Sequence, residues 1–341
     1  MRIFDILLTA TNAVTPIILL ILLGYILKRR GFLTAEFTKN GNKLVFKVFL
    51  PCMLFINVYN IESFASIQWG IVIYSVAALI VIFLLGMATA MAVTKVPERR
   101  GVILQCTFRS NFALIGLSLV SAVGGDNAAA VAAIISAFAI PVFNILAVIA
   151  LTMFVGSSTS WQQNVKKILL NIAKNPLIIG IGLGLAALAI RETQVAVWGE
   201  LKFSLKEQVK FLYTTLNNLK SIASPFALVI LGSEFEFTAV RGLWKEIAAG
   251  TLWRLVLAPL LGIGTAVILA KAGILDAGAD VYPAFIALFS SPAAVSSAIM
   301  AGSMGSDKQL ATQLVVWTSL LSIVTVFLTV CVMMGMGLFT V

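Results

Sequence analysis

Phe108-Arg109-Ser110-Asn111-Phe112-Ala113 and Phe289-Ser290-Ser291-Pro292-Ala293-Ala294 each interrupt a hydrophobic stretch, and they match without a gap. The offset from Asn111 to Pro292 is 181 residues, and it also lays Gly124 over Gly305 and Asp126 over Asp307. Pro292 has no N–H, and its ring clashes with the preceding turn of a helix. Ser110, Asn111, Ser290 and Ser291 offer the backbone local hydrogen bonds that compete with a helix. Hydrocarbon cannot satisfy the groups a broken helix exposes, so such a break sits against protein or lines a watery cavity. The N-termini of the resumed half-helices carry partial positive charge. The chemistry expected is reception of an anion, such as a carboxylate, with few charged side chains. Paired broken helices in the two halves of a membrane chain point to a transport site.

The depth of the two breaks agrees with that reading. Asn111 lies ten residues into a span that begins near Gly101, or about 15 Å at 1.5 Å per residue. Pro292 lies eleven residues into a span that begins near Val281. Both reach the middle of a hydrocarbon core of about 30 Å. The candidate substrate-binding residues are therefore Arg109, Ser110, Asn111 and Phe112 from the first break, Ser291, Pro292 and Ala293 from the second, and Asn57. Asn57, Tyr59 and Asn144 could line the cavity, but such residues more often make helix–helix hydrogen bonds. Four ionisable groups fall within or at the end of spans: Lys47, Arg109, Glu234 and Arg254. Charges there mark cavities or pairs. Arg109 would draw an anion to the first break, or else form a structural pair or snorkel. Arg254 is read as bracing its own helix, Lys47 as snorkelling, and Glu234 as solvated beside Glu236.

The elements that position these residues follow from composition. The 341-residue chain is 60% hydrophobic and 11% charged, against about 25% charged in a soluble domain. Apolar runs of about 20 residues recur along it, so most of it is expected in a bilayer. We expect ten spans, at about 12–28, 43–60, 66–94, 101–123, 127–155, 171–190, 215–233, 246–271, 281–304 and 308–338. Ile3–Leu27 ends in Lys28-Arg29-Arg30, with its basic residues after the apolar run, and is read as a retained first span. The segment 199–214 mixes apolar residues with lysines and suggests either an interfacial amphipathic helix or an ordinary solvated loop helix. The net charge of +10 has the bland origin of a positive-inside bias rather than a nucleic-acid footprint. Loops after the odd-numbered spans hold fourteen Lys and Arg, against seven on the other side, five of which fall in 191–220. Both termini are thus expected outside the cytoplasm. Cys52, Cys106 and Cys331 fall in apolar spans without CxxC spacing, and there is no histidine, so neither metal nor cofactor is expected.

The repeat extends beyond the breaks. Pro16 and Gly24 match Pro176 and Gly184 at an offset of 160. Pro51 and Pro225 occupy similar depths in spans 2 and 7. Five spans per unit is an odd number, so the second unit enters from the opposite side. The expected fold is an all-α membrane protein of ten transmembrane helices, an inverted five-plus-five repeat in which broken helices 4 and 9 cross. Its units are 1–155 and 171–341, joined by a cytoplasmic linker at 156–170.

Several of these motifs resemble the auxin efflux carrier family, which includes bacterial organic-acid carriers and plant auxin exporters. Asn42-Lys43-Leu44-Val45-Phe46 running to Leu50-Pro51 is similar to its span 2 pattern. Lys174-Asn175-Pro176 is similar to its start of span 6, and Arg254-Leu255-Val256-Leu257-Ala258-Pro259 to its span 8. Ser110-Asn111 and Ser291-Pro292 fall on its two crossover points. The resemblance covers essentially the whole chain. It implies a secondary transporter, not an enzyme, moving a small organic anion across the cell membrane, of the dicarboxylate or auxin-like kind. It also implies a scaffold of spans 1, 2, 6 and 7 that forms a homodimer, and a moving unit of spans 3–5 and 8–10. Asn111 would contact substrate and Pro292 would shape the second crossover. The chain departs from plant members, which have a proline beside the crossover asparagine where this one has Ser110 and Phe112. Two alternatives remain: a sodium-coupled organic-acid or bile-acid-type symporter, and, more remotely, a membrane sensor or enzyme. No Walker motif, catalytic triad or metal cluster is present in the sequence.

Overall fold

A computed structural model of the chain describes residues 3–60, 68–155, 170 and 173–339. Among these, every regular element is a helix: α1 (Ile3–Arg29), α2 (Ala35–Leu44), α3 (Leu50–Tyr59), α4 (Trp69–Val93), α5 (Pro97–Phe108), α6 (Leu117–Met153), α7 (Pro176–Trp198), α8 (Lys210–Ser233), α9 (Val240–Leu252), α10 (Ala258–Lys271), α11 (Val281–Ser290), α12 (Ser296–Ser303) and α13 (Lys308–Gly335). Nearly all of the expected linker lies outside the described residues.

Local chemistry sets the ends of several helices. Asn175 accepts from Leu177 N–H at 2.9 Å, with Pro176 opening α7. Asp307 accepts from Leu310 N–H at 2.9 Å and caps α13. An oxygen in this position satisfies one of the amides a helix start leaves bare. Two five-residue π turns, Val45–Phe49 and Trp253–Leu257, each end two residues before a proline, Pro51 and Pro259. A proline inside a helix clashes with the carbonyl four residues back, and a widened turn absorbs the clash. The chain therefore runs on from α2 to α3 and from α9 to α10.

Among the described residues, six helices are long and apolar enough to cross a membrane: Ala35–Tyr59, Trp69–Val93, Val123–Met153, Pro176–Trp198, Phe237–Lys271 and Lys308–Gly335. Val281–Ser290 is a shorter apolar helix. The ten expected spans are not all recovered as unbroken apolar helices. Spans 4 and 9 are cut by their breaks, and α8 carries Lys210, Asn217, Asn218 and Lys220 in its first half. Two expectations need correcting. α7 continues to Trp198 rather than stopping near 190. No helix forms over 199–209, because side chains take its backbone groups. Gln194 bonds both the N–H and the carbonyl of Phe203, Gln208 accepts from Ser204 N–H, and the Tyr59 hydroxyl accepts from Leu205 N–H.

The core sits where the helices that carry the breaks meet. α11 is buried on every side, as expected of a helix apolar all round, and packs on α6, α10 and α13. α1 packs along α8 and α13, and α3 along α7 and α8. Glycines allow the first of these contacts. A Cβ on Gly24 would fall on the Val229 carbonyl, and one on Gly232 on the Ile21 carbonyl.

Candidate functional site

Both breaks form where they were expected. α5 stops at Phe108, and Arg109 is extended (φ −85°, ψ 91°). α11 stops at Ser290, and Ser291 is extended (φ −62°, ψ 147°). The two unwound segments lie antiparallel and pair through Ser110 and Ala293. Asn111 N–H donates to Pro292 O at 2.7 Å, and Ala294 N–H donates to Arg109 O at 3.1 Å. Ala293 N–H donates to the Thr318 hydroxyl on α13 at 3.1 Å. Each break thus satisfies the other's backbone, which is how irregular chain survives away from water. Beyond the crossing, the first chain resumes as a π turn, Phe112–Gly116, and then α6. The second resumes as α12.

Arg109 projects into this crossing and is 4% exposed. Its guanidinium donates to Asn144 Oδ1 at 2.8 Å and to the Ser296 hydroxyl at 2.9 Å, and it also meets the Met300 sulfur. Asn144 is itself fixed by donating to Ile140 O at 2.8 Å. All these partners are neutral, and among the described residues the ion pairs are Arg99 with Glu246 and Asp307, and Lys308 with Glu234. Arg109 therefore brings a buried positive charge with no carboxylate beside it. Two neighbouring groups are unpaired: Asn111 Nδ2 and Ser110 Oγ are buried without a hydrogen-bond partner. Leaving such a group unmade costs about 1–3 kcal/mol, so both await an acceptor or donor from elsewhere.

Arg109, Ser110, Asn111, Asn144 and Ser296 line a cavity of about 50 Å³, room for a few waters. Its far wall comes from α3 and α8, through Leu50, Met53, Leu54, Ser224 and Ala227. Phe112 is fully buried and does not line the cavity. Ser291, Pro292 and Ala293 supply backbone to the crossing rather than side chains to the cavity, and the Ser291 hydroxyl returns to Ala287 O at 2.6 Å. Asn57 is half-buried on α3 and lies outside the cavity lining. Ser296 and Met300 were not singled out in the sequence. The one available signal was that Ser296 follows the second break by half a turn of chain, where a resumed helix would start.

Two charged residues behave differently from the sequence reading. Glu234 is not simply solvated beside Glu236. It accepts from Asn42 Nδ2 at 2.6 Å and pairs with Lys308, because the end of α8 abuts the end of α2 and the start of α13. Arg254 does not brace its own helix: its guanidinium reaches carbonyls on α5 and α11. Lys47 is exposed, consistent with a snorkelling side chain.

The family model described as "Membrane transport protein", that of the auxin efflux carriers, matches residues 9–330. No curated protein matches the chain in a sequence search.

Proposed function

The chain belongs to the auxin efflux carrier family of membrane transporters, and from that premise we propose that it is a secondary carrier of a small organic anion. The substrate is a carboxylate, of the dicarboxylate or auxin-like kind, bound where the two broken helices cross. The observation that carries this reading is the cluster around Arg109. A buried guanidinium without a carboxylate, an unpaired Asn111 amide and an unpaired Ser110 hydroxyl converge on one cavity. A carboxylate would complete all three at once, with charge-assisted hydrogen bonds.

The cavity is too small for such a ligand as it stands, and its far wall belongs to α3 and α8. Alternating access would therefore move the crossing, with α4–α6 and α9–α13, against a scaffold of α1–α3, α7 and α8. An inverted repeat supports this division: α1 packs on α8 and α3 on α7, and the repeat would exchange those two pairs. In this proposal the ten spans cross the cell membrane with both termini outside, and the scaffold helices join two copies.

The test is uptake into proteoliposomes against a panel of carboxylates, with proton and sodium gradients imposed separately. The reading expects saturable uptake of at least one carboxylate. Uptake of cations or neutral solutes alone would overturn it. Carboxylate uptake that strictly requires a sodium gradient would instead favour the symporter reading.

A further inference from the structure

Arg254 is a second buried cation, 1% exposed, on the π turn Trp253–Leu257 between α9 and α10. Its Nη1 donates to Thr107 O at 3.1 Å and its Nη2 donates to Phe289 O. These two carbonyls have a common history. In an unbroken helix, Thr107 O would accept from Asn111 N–H and Phe289 O from Ala293 N–H, four residues on. At the crossing both amides are diverted: Asn111 N–H goes to Pro292 O and Ala293 N–H to the Thr318 hydroxyl. The guanidinium supplies the donors that the two carbonyls have lost. It also faces the C-terminal ends of α5 and α11, each carrying about half a negative charge. A planar fork of fixed donors suits two such acceptors better than a point charge does.

We propose that Arg254 is the positioning residue of the crossover, a single side chain that makes the unwound form of both helices the stable one. Without it, both carbonyls stay bare in a dry interior, and the crossover pairing beside them loosens. The same contacts assign opposite electrostatic tasks to the two buried arginines. Arg254 offsets the C-terminal ends of the first half-helices, which leaves Arg109 as the uncompensated cation at the cavity. The claim about the backbone stands on the hydrogen bonds above. Its consequence for anion binding rests on the proposed function.

The test is amide hydrogen exchange of the protein in lipid nanodiscs, comparing wild type, Arg254→Gln and Arg254→Lys. In Arg254→Gln, peptides covering 109–112 and 292–295 should exchange about tenfold faster, the scale of one lost net hydrogen bond. Peptides from α1 and α8 should be unchanged. Arg254→Lys keeps the charge without the fork and should fall between. Wild-type protection at both crossover peptides in Arg254→Gln, or protection lost evenly along the chain, would overturn the assignment. If Arg254→Gln does not yield folded protein, Arg254→Lys decides: loosening confined to the two peptides supports the proposal, and wild-type protection at both refutes it. Carboxylate binding is measured on the same samples. Opened amides with unchanged binding would uphold Arg254 and remove the anion from the crossing.

Discussion

Two guanidinium groups lie buried at the crossing with neutral partners only, and their surroundings differ. Arg254 faces carbonyls, whereas Arg109 faces Asn144, Ser296 and Met300 beside the unpaired Asn111 amide. Replacing Asn111 by Ala should leave folding largely intact and remove one hydrogen bond to a charged ligand. That loss is about 1.5–3 kcal/mol, a drop in affinity of roughly ten- to a hundredfold, measurable by titrating purified protein with carboxylate. Arg109→Gln should weaken binding and make it less sensitive to ligand charge, since the half-helix dipoles remain. Pro292→Ala restores an amide that can close the second break, so it should reduce transport more than Arg109→Gln does. Normal transport by Pro292→Ala with binding abolished in Arg109→Gln would make the arginine the main anion ligand and the dipoles minor. Arg109, Ser110 and Asn111 were legible in the sequence because breakers and polar residues stand out in an apolar run. The partners of Arg254 and Glu234 were not, because each is set by a helix distant in sequence that only folding brings near.

Among the elements, the two broken spans differ by one residue. Their left-handed turns come at Gly125 (φ 69°) and Gly305 (φ 78°), whereas the 181-residue offset pairs Gly124 with Gly305. The π turn Phe112–Gly116 follows the first crossing, and the described second half-helix is the α-helical Ser296–Ser303. A π turn spends more residues per turn than an α turn, which accounts for the extra residue before Gly125. The matched breaks were visible as sequence, but this slip was not, since the ungapped match runs straight through it. The segment 199–209 defeated its pattern for another reason, its backbone being held by side chains of Gln194, Gln208 and Tyr59. The α1–α8 contact yields a direct prediction. Gly24→Ala or Gly232→Ala should destabilise the protein by about 1–3 kcal/mol through backbone overlap, read as a lower thermal midpoint. Gly182→Ala, where an added methyl meets nothing within 4 Å, should not.

Across the whole molecule, ionic contacts gather near the start of α13. Arg99 on α5 bonds Glu246 on α9 at 2.9 Å and Asp307 at 3.1 Å, while Lys308 and Asn42 both hold Glu234. Glu234 follows α8 at its end. Burial pushes its carboxyl above the ordinary carboxylate range, with Lys308 and Asn42 acting against that shift. The folded chain therefore holds this proton more tightly than the unfolded one. The stability it contributes is full below the ordinary carboxylate pKa and is lost as pH rises through the raised value. Glu234→Gln should thus flatten the fall in thermal midpoint as pH rises above the ordinary carboxylate pKa of about 4.3; an unchanged slope would show that another group causes it. Sidedness rests on the Lys and Arg count alone. In a background without native cysteines, Lys206→Cys should label from outside and Lys95→Cys only after permeabilisation; the reverse pattern would invert the topology.

The central claim is that the anion sits where the two breaks cross. The most direct measurement is a structure of the purified protein with a transported carboxylate carrying bromine, the halogen located by its anomalous signal. The account predicts that the carboxylate lies within hydrogen-bond distance of Arg109 and Asn111, between Ser110 and the start of α12. A bromine peak elsewhere, for instance in the apolar groove between α10 and α13 near Pro259 and Lys271, with the Arg109 cavity unchanged, would contradict it.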